Sequence, residues 1–321
     1  QGFQIVGVFF RFFDPALREG RGRTDGSLKK AKLVAEKLNI PLEIVDARKE
    51  FKEKVIDYFI DSYKKGITPN PCVVCNKEMK FRLLFELLKK YKADYIATGH
   101  YSLNNEHKLC EAKDKTKDQS YFLYKLTQKE LSKTIFPLGK LKKTEVKKLA
   151  KKFRMPVFGD EESQDVCFLA NSDISKFLKK NIKPKLGNII DEKGNILARH
   201  KGLPFYTIGQ RKGIEIGGTG PYFVIGKDSK KNQLVVSNDP KRLLTKKFEV
   251  FQVNWVSKKT KFPLRAQIQI RYHAEKISAI IRKSKKGEYR IETAKPLRAV
   301  TKGQSAVFYK NSEILGGGII I

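Results

Sequence analysis

Cysteine residues are the part of this chain best suited to chemistry. Cys72 and Cys75 lie three residues apart in the segment Pro69-Asn-Pro-Cys-Val-Val-Cys-Asn76, in a turn directly before a predicted helix. A third thiol, Cys167, lies far downstream in Ser163-Gln-Asp-Val-Cys-Phe168. A nearby helix N-terminus and nearby cations lower the pKa of a thiol. We therefore expect a lowered pKa for Cys75, since the cations that follow it are Lys77, Lys80 and Arg82.

Three thiols limit the chemistry that this chain can perform. A structural zinc site takes four ligands, so three cysteines make a poor one. Three thiolates with one open position suit an iron–sulfur cluster that has one labile iron. They also suit a thiol relay, in which one cysteine carries a persulfide and another resolves it as a disulfide. A purely structural role for all three is the remaining alternative. The fourth cysteine, Cys110, lies in an alternating strand pattern and is predicted to be a packed core thiol.

The charge of the chain indicates a polyanionic partner. Its 321 residues carry a formal net charge of +33, and a compact protein with this excess repels itself. Nucleic acid fits best, because Lys and Arg neutralise phosphates and release counterions; a Lys-rich or thermophilic surface is the alternative reading. We find no apolar run of transmembrane length and no signal peptide. With four cysteines in a chain of this size, we expect a reducing cytoplasm rather than a disulfide scaffold.

The order of predicted elements indicates an α/β domain followed by a β-rich half. Strands and helices alternate in the first half, which favours a parallel sheet with helices on both faces. A loop is predicted for residues 14–26, where Gly and Arg are frequent and periodicity is absent. From about residue 241 short alternating strands predict a small barrel, at residues 248–256, 264–272, 277–283, 289–293 and 305–309. We predict three domains, spanning residues 1–170, 171–240 and 241–321.

Two stretches outside the cysteine motifs also suggest function. Ligands of parallel α/β sheets bind beyond the carboxyl ends of the strands, so residues 7–10 and Thr98-Gly-His-Tyr101 are predicted to share one site. Residues 127–153 are predicted to be helical and are strongly basic. That basic face is either a solvated surface or a contact for phosphates.

Together these segments resemble one family, the tRNA-specific 2-thiouridylases, called MnmA in bacteria. The matching segments occur in family order from end to end of the chain. They are Ile5-Val-Gly-Val-Phe-Phe10, Thr68-Pro-Asn-Pro-Cys-Val-Val-Cys-Asn-Lys-Glu-Met-Lys-Phe81, Asp94-Tyr-Ile-Ala-Thr-Gly-His-Tyr101, Lys117-Asp-Gln-Ser-Tyr-Phe-Leu123, Phe136-Pro-Leu-Gly139, Ser163-Gln-Asp-Val-Cys-Phe168, Tyr206-Thr-Ile-Gly-Gln-Arg-Lys-Gly213, Arg271-Tyr272 and Leu297-Arg-Ala-Val-Thr-Lys-Gly-Gln304.

The resemblance implies an ATP-pyrophosphatase type nucleotide-binding domain, a small central tRNA-binding domain and a C-terminal β-barrel. It implies that ATP, with Mg²⁺, adenylates the C2 oxygen of uridine 34 at the tRNA wobble position. Sulfur then displaces AMP to give 2-thiouridine. The implied partners are an upstream sulfur donor and the tRNAs for Lys, Glu and Gln. The target base must leave the anticodon stack to reach such a site.

Carried over residue by residue, the resemblance implies a role for each matching position. Cys75 corresponds to the nucleophile and Cys167 to the persulfide-bearing partner, and a disulfide between them is implied. Phe10 and Gly99 fall at ATP-binding positions. The positions that meet the target base or the rest of the tRNA are Asn70, Pro71, Cys72, His100, Lys117, Asp118, Gln119, Arg271, Tyr272 and Gln304.

The chain departs from the family pattern at two points. Many members have Asp where this chain has Cys72, and a CxxC with a remote Cys167 resembles the variant that is expected to hold a [4Fe–4S] cluster. We favour that cluster over a pure persulfide route, with the open iron delivering hydrosulfide. The family's pyrophosphate-binding loop, of Ser-Gly-Gly-Val-Asp-Ser-Ser type, should precede Gln1, and we expect it in the full polypeptide. The alternatives are an inactive tRNA-binding protein with a structural metal site and another ATP-pyrophosphatase superfamily enzyme.

Overall fold

A computed structural model describes residues 2–13, 23–156, 166–169, 174–214, 216–217, 220–257, 260–285 and 287–321. Most of the predicted loop at residues 14–26 and the Ser163-Gln-Asp part of the Cys167 motif therefore lie outside the described residues. In the described part of the chain, no helix is long and apolar enough to cross a membrane. The helices are α1 (Arg23–Leu38), α2 (Arg48–Phe51), α3 (Tyr58–Lys64), α4 (Pro71–Val74), α5 (Arg82–Lys90), α6 (Gln128–Leu131), α7 (Lys143–Lys152) and α8 (Ile174–Asn181).

Most of the strands lie in the second half of the chain. The strands are β1 (Gly7–Arg11), β2 (Leu42–Asp46), β3 (Ile96–Ala97), β4 (Ser102–Asn105), β5 (Lys108–Glu111), β6 (Thr134–Ile135), β7 (Gly187–Ile190), β8 (Ile196–His200), β9 (Phe223–Asp228), β10 (Gln233–Ser237), β11 (Leu244–Trp255), β12 (Leu264–Gln269), β13 (Ile277–Lys283), β14 (Tyr289–Arg298), β15 (Ser305–Lys310) and β16 (Glu313–Ile320). Short 3₁₀-helices occur at Ser120–Leu123, Leu203–Phe205 and Pro240–Leu243.

The first half of the chain contains the predicted parallel strands with helices around them. Strand β1 pairs in parallel with β2, and β3 pairs in parallel with β6. These are two separate pairs rather than one continuous ladder among the described residues. Helices of this half and α8 enclose an apolar core against the partly buried Phe10 and Val45 of β1 and β2.

Two helical stretches present an apolar residue at every fourth position to that core. The first stretch contributes Phe51, Val55, Phe59 and Tyr63, and the second contributes Cys75, Met79 and Leu83. A spacing of four exceeds the 3.6-residue period of an α-helix, so such a stripe would drift around a regular helix. Both stretches contain a π-helical segment, at Lys52–Asp57 and at Cys75–Phe81, which underwinds the chain and keeps the stripe facing the core.

The prediction of one helix over residues 127–153 is wrong. Helix α6 and helix α7 lie at its two ends, and strand β6 and a turn lie between them. The turn contains Phe136-Pro-Leu-Gly139, and Pro cannot continue a helix because it lacks the backbone N–H. The basic side chains of α7 remain on a helix that has no buried residue.

A four-stranded sheet of order β8-β7-β10-β9 forms the middle of the chain. Its apolar core contains Ile189, Val224, Leu234 and Val236 together with Leu203, Tyr206 and Ile214.

Strands β11 to β16 close into a six-stranded barrel, as predicted. The order is β11-β14-β13-β12-β15-β16, and an additional pairing of β11 with β16 completes the circle. The five predicted strands correspond to β11–β15. Strand β16 escaped prediction because three successive glycines interrupt it, and glycine disfavours strands.

A hairpin from the first half of the chain extends the barrel sheet. Strands β4 and β5 pair with each other, and β5 pairs with β16, where Cys110 lies opposite Glu313. Cys110 is 7% exposed, which confirms the predicted core thiol on a strand. This hairpin directly follows His100 and Tyr101, so the barrel is attached beside the predicted site.

Candidate active site

Cys75 belongs to the core stripe and is therefore buried. It is 7% exposed and lies in the same apolar cluster as Phe168 and Leu169, the two residues that follow Cys167. Cys167 itself is exposed and affects the ionisation of both Cys72 and Cys75. The three thiols predicted from the sequence therefore lie in one region. All four cysteines are thiols rather than disulfides.

The expectation of a lowered pKa for Cys75 is wrong. Burial raises the pKa of Cys75 to about 12, against a smaller lowering by Lys80. Burial also raises the pKa of Cys72 to about 11, followed by a further rise from Cys167 and a lowering by Lys80. The loss of hydration destabilises each thiolate by more free energy than the attraction of Lys80 restores. Both thiols are therefore protonated near neutral pH in this conformation.

Two of the three cations credited with lowering that pKa are paired with acids. Lys77 forms an ion pair with Glu130 at 2.7 Å, and Arg82 forms ion pairs with Glu50 and Glu86. Lys80 is the cation of the three that acts on both thiols, and it also acts on His100.

The Asn70–Cys72 segment begins the helical stretch that contains Cys75. Asn70 is the N-cap of α4, and its side chain accepts a hydrogen bond from the N–H of Val73 at 3.4 Å. Pro71 follows at the first helical position, where the missing N–H costs nothing. Pro71 is buried and Cys72 is half-buried. The capped turn thus exposes part of Cys72 while Cys75 faces the core.

His100 lies beside this helix and uses both ring nitrogens internally. Its Nδ1 lies 2.8 Å from Thr98 Oγ1, and its Nε2 lies 3.2 Å from Asn76 Oδ1. Asn76 in turn donates from Nδ2 to the carbonyl of Phe122 at 3.3 Å. Sequence reasoning missed Asn76. Its signal was a short polar residue inside a predicted helix, next to a candidate nucleophile.

The Lys117–Gln119 segment is tied to the same region by hydrogen bonds. The Gln119 side chain accepts from the N–H of Tyr101 at 3.1 Å, and the Gln119 N–H donates to the Tyr101 carbonyl at 2.8 Å. Asp118 is 8% exposed and accepts from the Ala112 N–H and the Ser120 hydroxyl, both at 2.7 Å. Burial raises the pKa of Asp118. Lys117 is half-buried at the edge of this segment.

The barrel contributes the last three predicted residues. Gln304 donates from Nε2 to the carbonyls of Thr68 and Pro69, each at 3.0 Å. Arg271 donates to the carbonyl of Ala299. Tyr272 is 36% exposed, and its ring lies 4.6 Å from that of Phe122.

A polar cavity of about 200 Å³ opens next to Tyr272. Its lining joins the Lys117–Gln119 region to the barrel. The lining residues are Glu111, Lys115, Asp118, Tyr121, Gln269, Tyr272, His273, Ala274 and Lys276.

The two predicted nucleotide-contacting residues lie at strand ends. Phe10 is near the end of β1, half-buried, with its ring 5.4 Å from that of Phe12. Gly99 follows β3 and is exposed, and a Cβ there would meet only Leu138, at 3.9 Å. The space around Gly99 is therefore open to a ligand. Because β1 and β3 belong to separate strand pairs, no ladder links these two positions among the described residues.

A metal cluster requires its ligands to converge. Within the described ranges, no three His, Cys, Asp or Glu side chains are grouped so that they could hold a metal ion. Cys72, Cys75 and Cys167 differ in burial, from half-buried to buried to exposed. As placed, the three thiols do not fit a three-cysteine cluster.

Comparison with known proteins covers the chain from end to end. Three family models match: the tRNA methyl transferase HUP domain at residues 1–171, the tRNA methyl transferase PRC-barrel domain at 175–238, and the aminomethyltransferase beta-barrel domain at 245–320. The tRNA-specific 2-thiouridylase MnmA of Halothermothrix orenii is 40% identical over 332 residues, which cover 100% of this chain and 92% of the relative.

Two clostridial proteins give the same result. The tRNA-specific 2-thiouridylase MnmA 2 of Clostridium tetani is 37% identical over 331 residues, and MnmA 2 of Clostridium botulinum (strain Langeland) is 36% identical over 334 residues. Each match covers 100% of this chain and 92% of the relative. The order of domains, the three thiols in one region and these matches over the whole of this chain agree, and the chain belongs to the MnmA family of tRNA-specific 2-thiouridylases.

Proposed function

We propose that this protein is a tRNA sulfurtransferase that converts uridine 34 to 2-thiouridine with ATP. The observation that carries the proposal is that Cys75 packs with Phe168 and Leu169, next to Cys167, in a chain that matches MnmA proteins over its full length. The formal charge of +33 supports tRNA as the substrate, since phosphate neutralisation dominates nucleic-acid affinity. We expect tRNAs for Lys, Glu and Gln and an upstream sulfur donor as partners.

The first step activates a poor leaving group. The C2 oxygen of uridine attacks the α-phosphorus of Mg²⁺-bound ATP, pyrophosphate leaves, and the oxygen becomes part of a good leaving group, AMP. The open space at Gly99 and the partly exposed Phe10 support nucleotide contact at the strand ends.

The second step transfers sulfur through the thiols. Cys167 is exposed, which suits a residue that must receive sulfur from another protein as a persulfide. The terminal sulfur attacks C2, and AMP leaves with the C2 oxygen. The Cys75 thiolate then attacks Cys167 Sγ, the persulfide S–S bond breaks, and 2-thiouridine departs with the outer sulfur. A Cys75–Cys167 disulfide forms, and an external dithiol must reduce it before the next turnover.

Burial of Cys75 limits the rate of this step. A thiol whose pKa is raised to about 12 is almost entirely protonated near neutral pH, and a protonated thiol is a weak nucleophile. Lys80 is the cation beside the thiols that favours the thiolate. Tyr272, partly exposed and beside the ring of Phe122, supports stacking of an extruded base near Cys72.

Thiolation by the full-length protein tests this proposal. The protein is incubated with tRNA, ATP and a persulfide donor, and 2-thiouridine and AMP are quantified by nucleoside mass spectrometry and chromatography. We expect equal yields of both products, and loss of 2-thiouridine in Cys75→Ala and Cys167→Ala. Cys110→Ala is the matched control, because that thiol lies on β5 opposite Glu313, and the charges that act on it are those of Glu313, Lys108, Glu111 and Lys115 rather than those of the other thiols. Binding of tRNA without any thiolation would support an inactive tRNA-binding protein instead.

Iron analysis tests the cluster route separately. The protein is purified anaerobically, and iron, sulfide and the visible spectrum are measured. Because the thiols as placed do not fit a cluster, we derive no step through one. A colourless, iron-free protein that thiolates tRNA from a persulfide donor would support the thiol relay. About four irons per chain with a broad violet-to-blue band would instead restore the [4Fe–4S] route.

A further inference from the structure

Asn76 is the residue at which three segments of the site meet. It is 4% exposed, follows Cys75 directly, and is joined to His100 and to the Phe122 carbonyl. We infer that Asn76 and His100 form a positioning pair that holds the helix bearing Cys75 in register with the segment that follows Lys117. This inference rests on the proposed role of Cys75.

The partners of Asn76 determine the protonation of His100. The Phe122 carbonyl can only accept, so the Asn76 amide group must turn its Nδ2 toward it and its Oδ1 toward His100. His100 Nε2 must then carry the proton and donate to Oδ1. Nδ1 is left as the acceptor for the Thr98 hydroxyl. One neutral tautomer satisfies every contact.

The surroundings of the ring keep it in that form. Its ring stacks on Phe81 at 6.0 Å and meets Phe136 edge-on at 6.5 Å. Burial, followed by the charge of Lys80, lowers the pKa of His100 to about 3. The imidazole is therefore neutral near neutral pH, and both nitrogens remain hydrogen-bonded within the protein.

The consequence for Cys75 is geometric. Asn76 lies on a different side of the helix from the core stripe, so its two hydrogen bonds oppose rotation of the Cys75 thiol about the helix axis. Reacting groups must be held close to their productive geometry, and a displacement of about 1 Å can cost about 100-fold in rate. Loss of the pair should therefore lower kcat while tRNA affinity remains.

A double-mutant cycle on the full-length protein tests this inference. Asn76→Leu and His100→Phe are made singly and together, and kcat and the Kd for tRNA are measured. We expect each single change to lower kcat by about 10- to 100-fold, the double variant to be no slower than the slower single one, and Kd to stay within about twofold. If the losses in kcat of the two single variants, expressed as free energies, add up in the double variant, the two residues act independently and the inference is overturned. A raised Kd in His100→Phe with kcat unchanged would also overturn it and would make His100 a direct tRNA contact.

A measurement on the unmodified protein covers the case in which the variants do not fold. The ¹⁵N shifts of His100 should report the neutral Nε2–H tautomer from about pH 5 to 8, and a titration near the ordinary histidine pKa of about 6.5 would refute the pair. Asn76→Asp, which retains the acceptor toward His100, should raise the pKa of the ring. Because neither this readout nor tRNA binding requires thiolation, they remain informative if Cys75→Ala is fully active and the proposed function fails.

Discussion

The loop between β14 and β15 packs against the residues that precede the cysteine segment, and the closest approach is at Gly303. Gly303 has φ +90°, and a Cβ there would lie 2.1 Å from Ile67 Cγ2 and 2.8 Å from the Thr68 carbonyl oxygen. The Thr68 N–H donates to the Lys302 carbonyl at 3.0 Å, so this backbone is already fixed. Gly303→Ala therefore incurs a conformational cost and a steric cost together.

A second glycine of the barrel, Gly287, separates the conformational cost from the steric cost. Gly287 has φ +76°, and a Cβ added there would meet no atom within 4 Å, so Gly287→Ala incurs the conformational cost alone. That cost is about 1–2 kcal/mol for a left-handed residue. Overpacking adds about 1–3 kcal/mol at Gly303, since the β-branched Ile67 and the backbone of Thr68 cannot easily move.

Trp255 is the single tryptophan of the chain and packs in the barrel against Phe308 and Tyr289. Its fluorescence in urea reports barrel unfolding. With a slope of about 2 kcal/mol/M, the midpoint of Gly303→Ala should lie about 0.5–1.5 M below that of Gly287→Ala. Gly303→Ala should also thiolate more slowly, because Gln304 holds Thr68 and Pro69. Equal midpoints and equal thiolation rates in the two variants would refute the argument that this loop braces the site.

Three further results are expected. Affinity for tRNA should fall about a thousandfold between about 50 and 200 mM salt if about six phosphates are contacted, and a flat response in filter binding would remove the electrostatic argument. Lys80→Met should slow single-turnover thiolation several-fold at neutral pH, since Lys80 lowers the pKa of Cys75, while Lys80→Arg retains most of the rate; equal rates would exclude this role. The rate should rise about tenfold per pH unit from about pH 7 to 9, because the pKa of Cys75 lies above that range and each unit adds about tenfold more thiolate; a flat profile would show that another step limits turnover.

The local sequence pattern predicts the strands of the barrel, but the charges around the thiols depend on ion pairs between residues far apart in the chain. The barrel strands and the core position of Cys110 follow from alternation, which is a property of neighbouring residues. The pKa of Cys75 depends instead on its burial in the core, while Glu130 and Glu50, from far along the chain, form ion pairs with Lys77 and Arg82. The sequence around Lys77 and Arg82 does not predict Glu130 and Glu50 as their partners.

The same distinction applies to the predicted tRNA contacts. Several of the motif segments lie side by side, since Gln119 bonds to Tyr101 and Gln304 to Pro69. The resemblance cannot indicate which side chains are occupied internally. His100 and Asp118 use their polar atoms within the protein, whereas Tyr272 is partly exposed.

The hairpin formed by β4 and β5 means that the barrel is not a detachable module. Its strands belong to the first half of the sequence but extend the barrel sheet through β16. A chain cut after β10 would leave β5 paired with β4 but without β16, and an unpaired strand edge promotes aggregation. Exchange of barrels between relatives would therefore have to carry residues 102–111 along with 244–320, and those residues are bounded by His100 on one side and Lys117 on the other. The hairpin of β4 and β5 lies in the first domain of the sequence but pairs with the barrel, so it limits which barrels the first domain could acquire by recombination.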